Sequence, residues 1–180
     1  MPGEVPSGWS QTPFGAVASL TKGLTYKADE LGDGVPFITI KCFSKGGGFR
    51  TEGLKAYSGQ LEKRFVVGCG DVLIANTDLT RDGDIIGSAV RLPTSVVGAA
   101  ISMDVSRVDH DDRKINSEFL YFLLCTQSAR GFMQSHSSGS TVLHLKTGDV
   151  PKFNVLLPPL PEQKKIAAIL SSVDEAIQAT

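Results

Sequence analysis

The most regular run of apolar positions lies at the C-terminal end, where Ile166, Ile169, Leu170, Val173 and Ile177 recur at three- and four-residue spacing. That spacing places them on one face of a helix, while Lys164, Lys165, Ser171, Asp174 and Glu175 fall elsewhere. Pro158, Pro159 and Pro161 hold the preceding chain extended and suit a first helical turn, and Glu162 complements the positive end of the helix dipole. No glycine, proline or cationic last turn closes this helix before Thr180. Periodicity alone allows the apolar seam to pack on its own domain or against a partner helix. Upstream, a β-branched run from Val35 to Lys41 predicts a buried strand. Gly70-Asp71 turns into an apolar strand, Val72 to Ala75, followed by a polar tip, Asn76 to Asp84, and a returning strand, Ile85 to Leu92. Ser95 to Val105 reads as a further strand. Asn116 to Ser135 reads as one helix, capped by Asn116 or Ser117, with Phe119, Leu120, Phe122, Leu123 and Leu124 on a wide apolar face. Together these elements predict an α+β (mixed α/β) fold: a twisted β-sheet with flanking helices, followed by a C-terminal amphipathic helix.

Composition narrows this picture. The chain has 180 residues, about one domain, with 41% hydrophobic and 21% charged residues, ordinary for a globular protein. No stretch approaches the ~20 apolar residues of a membrane span, and the N-terminus, MPGEVPSGWSQTPFG, lacks the basic flank and apolar run of a secretory signal. The expectation is a cytoplasmic protein with no membrane partner. Cys42, Cys69 and Cys125 lie far apart with no CxxC spacing and read as reduced thiols in core strands and a helix. His136 and His144 lack a third residue spaced to complete a metal site. Trp9 reads as a core plug near the terminus.

The net charge of −1 argues against a strongly basic nucleic-acid binder, but the cations are clustered. Lys45 to Arg50, KGGGFR, is the most locally basic segment, with Lys41 and Lys55 flanking it. Its glycines free the backbone and its cations suit phosphates or guanine edges, although a glycine-rich tip is equally a plain turn. Asn76, Thr77 and Arg81 on the polar tip have side chains suited to base edges or phosphate, against the simpler reading of a solvated hairpin end. The segment from His136 to Val150 carries small hydroxyls, among them Ser140 and Thr141, with Lys146 near, a turn able to bind phosphate through backbone amides. Arg130 is expected to meet a carboxylate rather than a phosphate. Catalytic signatures are missing: the chain has no NPPY- or DPPY-type run, no Walker or GxSxG motif and no glycine-rich cofactor turn after a strand, and Glu162-Gln163-Lys164 matches half of a nuclease motif by chance. No cofactor or metal is expected, and no catalytic residue.

Three stretches carry a family resemblance: LPPLPEQKKIAAILSSVDEAI at the C-terminus, GDVLIANTDLT in the middle and PSGW near the start. They resemble the specificity subunits of type I restriction-modification enzymes. The resemblance implies a non-catalytic subunit that recognises double-stranded DNA. In that family a full subunit carries two recognition domains and two long helices packed antiparallel as a spacer. This chain has one copy of each, which implies a target recognition domain over residues 1–156 and the first part of a spacer helix over 157–180. The implied partners are DNA, methyltransferase (modification) subunits and a motor/nuclease (restriction) subunit. With one half-site reader per chain, a homodimer through Ile166, Ile169, Leu170, Val173 and Ile177 is expected. The candidate DNA contacts are Lys41, Lys45, Arg50, Asn76, Thr77, Arg81, Ser140, Thr141 and Lys146. The rival reading is an assembly module that docks through its apolar helix and touches no DNA. Convergence of Lys41, Lys45, Arg50, Arg81 and Lys146 on one concave face favours DNA, and scatter favours the rival.

Overall fold

The computed structural model describes residues 5–45, 47–80 and 82–178. In chain order the strands are β1 (Ser10–Pro13), β2 (Ala18–Lys22), β3 (Leu31–Ile38), β4 (Lys55–Tyr57), β5 (Val66–Val67), β6 (Val72–Ala75), β7 (Thr77–Asp78), β8 (Ala89–Arg91), β9 (Ala99–Ile101) and β10 (Val105–His110). Two short helices follow, α1 (Ser117–Cys125) and α2 (Gln127–Ser135), then β11 (Ser137–Ser138), β12 (Leu143–Leu145), β13 (Asn154–Leu157) and the C-terminal helix α3 (Leu160–Gln178). The fold is α+β, built largely from antiparallel pairings, with β3 and β9 paired in parallel.

Strand β6 explains the layering. Its four residues, Val-Leu-Ile-Ala, are all buried, because successive side chains point to opposite faces and both faces are covered. Val72 and Ile74 join a core with Phe119, Leu120, Leu124 and Met133 of α1 and α2. Leu73 and Ala75 join a second core with Ile38, Val67, Ala99 and Ile101. The sheet β2-β10-β6-β8 is therefore sandwiched between the helices and the sheet β4-β3-β9-β5. The two ends of the domain meet where β1 pairs antiparallel with β13, Ser10 opposite Leu157. There Trp9 is half-buried and its indole N–H donates to Glu162 at 3.2 Å, so it latches the base of α3 and does not plug the core.

Several elements depart from the periodic reading. The predicted helix over 116–135 is two helices, because Thr126 is extended (φ −63°, ψ 150°), closing α1 and capping α2. Its hydroxyl donates to the Leu123 carbonyl at 2.7 Å and accepts from the Ala129 N–H at 3.3 Å, which replaces the continuous helical ladder. Asn116 is the N-cap of α1, accepting from the Phe119 N–H. The strand expected at 35–41 ends at Ile38, and Ile40–Cys42 forms a single 3-10 turn capped by the Thr39 hydroxyl. The segment expected as one strand over 95–105 contributes only β9 and the first residue of β10. Cys42 is buried in that 3-10 turn rather than in a strand, while Cys69 and Cys125 are exposed, and all three are free thiols. Among the described residues no helix is long and apolar enough to cross a membrane.

Candidate nucleic-acid interface

The three loops singled out by composition converge. The glycine-rich loop is a small hairpin in which Phe43 bridges Phe49 and the Arg50 N–H returns to the Cys42 carbonyl at 2.8 Å. Gly47 and Gly48 sit in the left-handed region (φ 92° and 89°) with no heavy atom within 4 Å of where a Cβ would be, so the glycines serve the turn and leave its outer side open. Lys45 reaches across to Asp84 at 3.0 Å, joining this hairpin to the segment after β6. That segment is joined in turn to the serine-glycine turn, since β7 pairs with β12, Thr77 opposite His144, and β12 pairs with β11.

Residues 76–80 and 82–86 are organised from inside. Asp78 is fully buried, and its carboxylate accepts the backbone N–H groups of Thr80 at 2.7 Å, Ile85 at 2.5 Å and Ile86 at 2.8 Å. Burial alone pushes this carboxyl up, but those bonds together with the Thr80 hydroxyl outweigh it and hold Asp78 below its ordinary value. By capturing Ile85 and Ile86, Asp78 also delays the return to β8, which covers 89–91 rather than the predicted 85–92. From behind, Arg130 donates to the Ser88 hydroxyl and, at 2.8 Å, to the Asp84 carbonyl, and Gln134 donates to the Gly83 carbonyl at 3.0 Å. Arg130 thus braces the loop through a hydroxyl and a carbonyl, and the carboxylate partner expected for it is not what it meets.

Asn76 and Thr77 correct the picture of a solvated tip. Both are buried: the Asn76 amide donates to the Met103 carbonyl at 3.2 Å, and the Thr77 hydroxyl donates to Asp104 at 3.2 Å. They tie β6 and β7 to the turn before β10 and are shielded from solvent. Arg81 lies outside the described residues. Lys41 and Arg50 are exposed and line one shallow groove with Ile40, Phe43, Glu52, Leu79, Thr80 and Ile85. Arg50 is paired with Glu52 at 2.9 Å, as Lys45 is with Asp84, so two of the cations carry a counter-ion on the same face. Ser140 and Thr141 are exposed at the hairpin turn beyond β11. Lys146 is exposed at the opposite end of that hairpin, where its backbone N–H meets the His136 carbonyl, and it does not line the groove. Of the cations named for convergence, Lys41 and Arg50 share the groove, Lys45 lines a separate hollow with Arg130, Gln134 and the end of α3, and Lys146 stands apart.

The C-terminal helix presents a different surface. Its inner face is fastened by Gln163, which is 1% exposed. The Gln163 side chain accepts from the Asn116 N–H at 2.8 Å and donates to the carbonyls of Lys114 at 3.0 Å and Pro158 at 2.9 Å. Ala167 is fully buried on the same side, and Ile166 packs partly into the domain core, so Ile166 is not free for a partner. Ile169, Leu170, Val173 and Ile177 are exposed, Ile177 to 68%. Periodicity misses Asp78 and Gln163: an aspartate two residues before a threonine is a turn signature inside a polar run, and a lone glutamine on a helix carries no signal for burial. Among the described residues no group of three or more His, Cys, Asp and Glu side chains is placed to hold a metal ion.

Solved type I specificity subunits share this α+β fold. The HsdS subunit from Thermoanaerobacter tengcongensis superposes with a TM-score of 0.68 at 19% identity, over 99% of this chain and 40% of that one. The S subunit from M. genitalium gives 0.65 at 14% identity, over 99% and 42%. In sequence, the EcoBI specificity subunit of Escherichia coli is 27% identical over 96% of this chain and 34% of its own length. The EcoKI specificity subunit of Escherichia coli K12 is 23% identical over 99% and 39%. The chain thus spans little more than a third of the length of these curated relatives. A family model described as the type I restriction modification DNA specificity domain matches residues 6–180, and the chain belongs to that family.

Proposed function

We propose that this chain reads one half-site of a double-stranded DNA target as the recognition part of a type I restriction-modification complex. In this reading residues 1–156 are the target recognition domain and residues 157–180 begin the spacer helix, which positions methyltransferase subunits and a motor/nuclease subunit. The chain itself supplies no catalytic group and needs no cofactor. The observation that carries the reading is the linkage of the glycine-rich hairpin, the Asp78-centred loop and the Ser140 turn into one loop face, with Lys41 and Arg50 in its groove. Phosphate contacts from Lys41, Lys45 and Arg50 would set register, and side chains on the loop face would read base edges. Ser140, Thr141 and Arg81 remain candidate contacts. Lys146 is a peripheral phosphate contact at most, and buried Asn76 and Thr77 act as positioning residues.

The test is selection from a randomised duplex pool by the chain assembled with cognate methyltransferase subunits, at two salt concentrations. A short enriched motif that disappears when residues 45–50 are replaced is the expected result. Assembly without enrichment would sink the DNA-reading proposal in favour of an assembly module, a reading that draws on the exposed Ile169, Leu170, Val173 and Ile177. A second half-site reader is supplied by pairing of those residues with the same helix of another copy. Sedimentation showing only monomer at high concentration would remove this homodimer.

A further inference from the structure

Leu79 is 65% exposed although the chain on either side of it is fastened. Asp78 immediately before it is buried with three backbone N–H groups on its carboxylate, and the Asp84 N–H closes onto the Thr80 hydroxyl at 3.0 Å. Leu79 therefore projects from a braced loop rather than from a loose one. A single exposed leucine is ordinary. This one lines the groove that also holds Ile40, Phe43 and Ile85, with Lys41 and Arg50 beside it and Glu52 paired to Arg50. An apolar projection flanked by cations suits a polyanion with an apolar feature between its charges. In duplex DNA that feature is the C5 methyl of thymine, which only the major groove displays. Resting on the DNA-reading function proposed above, we infer that Leu79 is a specificity-determining residue that packs on a thymine C5 methyl in the target half-site.

The same chain-plus-methyltransferase assembly is selected on two randomised duplex pools, one built with thymine and one with uracil in its place, which removes the methyl and nothing else. The wild-type assembly is expected to enrich a motif in which at least one thymine preference falls about three- to five-fold in the uracil pool, the size of burying one methyl group. The Leu79→Ala assembly gives the same preference at that position in both pools, and Leu79→Met retains the difference. Thermal melting checks that both variants stay folded. A wild-type motif indifferent to uracil overturns the role of Leu79 and leaves DNA reading standing, as does a Leu79→Ala protein that keeps the methyl-dependent preference. A wild-type assembly that enriches nothing in either pool overturns DNA reading and this inference with it.

Discussion

Residues 76–78 and residues 169–177 are opposite in composition and opposite in burial. Asn-Thr-Asp is polar and lies inside the protein, whereas Ile169, Val173 and Ile177 are apolar and lie outside. Each reversal has a physical origin. The polar triplet sits where the chain leaves β6 and must turn, which strands backbone groups: Asp78 accepts the N–H groups of Thr80, Ile85 and Ile86, Asn76 donates to the Met103 carbonyl, and Thr77 donates to the Asp104 carboxylate. The helix has the converse problem. Gln163 and Ala167 on its inner face secure it to α1, and none of the described elements covers the apolar stripe on the far side. In the proposed reading the buried polar residues are the frame of the DNA-facing site, and the uncovered apolar residues are an unfilled contact for a second copy.

The largest effect is expected at the buried end of this comparison. Asp78→Ala leaves the N–H groups of Thr80, Ile85 and Ile86 without their acceptor and should lower stability by about 3–5 kcal/mol in denaturant unfolding. Asp78→Asn, which keeps one acceptor oxygen, should lose roughly half of that. The pH dependence has a definite sign. The folded-state pKa of Asp78 lies below its ordinary value of 3.8, so its contribution is complete above that value and is lost as the pH falls through the lower folded one. The Asn variant lacks this component, so its stability should fall less than the wild type's on acidification over that range. Equal acid sensitivity in the two proteins would show that Asp78 does not organise the loop.

Next in size is the fastening of the helix. Gln163→Leu preserves volume but strips the Asn116 N–H and the Lys114 and Pro158 carbonyls of their partner, an expected cost of about 2–4 kcal/mol. Hydrogen exchange should show α3 losing protection before β6 does. If α3 and the sheet lose protection together, the helix belongs to the same cooperative unit as the domain core and is not a separately docked arm.

How much of this is legible in the chain depends on whether neighbours along the sequence or across space decide the outcome. Val72 to Ala75 declares a buried strand because four apolar residues in a row after Gly-Asp have few alternatives, and the start of α3 is set by its own prolines. The break at Thr126 is not legible, since a threonine is compatible with a helix until its hydroxyl finds the Leu123 carbonyl. The loop face is half legible. Lys41, Lys45 and Arg50 announce themselves by charge, yet Leu79 and Asp78 acquire their roles only once Ile85 and Ile86 have folded back against the aspartate. Asn76 and Thr77 mislead for the same reason: a polar tip and a polar interior read identically until the turn at Met103 and Asp104 is brought alongside.

A smaller effect should sharpen the electrostatics of the loop face. Glu52 holds Arg50 at 2.9 Å, so phosphate must displace a carboxylate before Arg50 can bind it. Glu52→Gln removes that competition. Affinity for random-sequence duplex should rise about three- to ten-fold at low salt, and the slope of log affinity against log salt should steepen by about one for the additional phosphate contact. The enriched motif should blur, because non-specific binding gains more than specific binding does. An unchanged salt slope would mean that Arg50 does not face the backbone.

The smallest effect on folding is expected where apolar content is highest. Val173→Ser and Ile169→Ser shorten exposed side chains, so unfolding of the monomer should change by no more than about 0.5 kcal/mol. Ala167, on the inner face of the same helix, is the internal control: fully buried against the domain, it should cost about 1–3 kcal/mol when enlarged to Leu. Sedimentation separates the two faces of the helix. The serine variants should abolish self-association while leaving the fold intact, whereas Ala167→Leu should weaken the fold first and association only through it. If the serine variants destabilise the monomer as much as Ala167→Leu does, the stripe packs on its own domain in solution and the contrast between frame and unfilled contact fails.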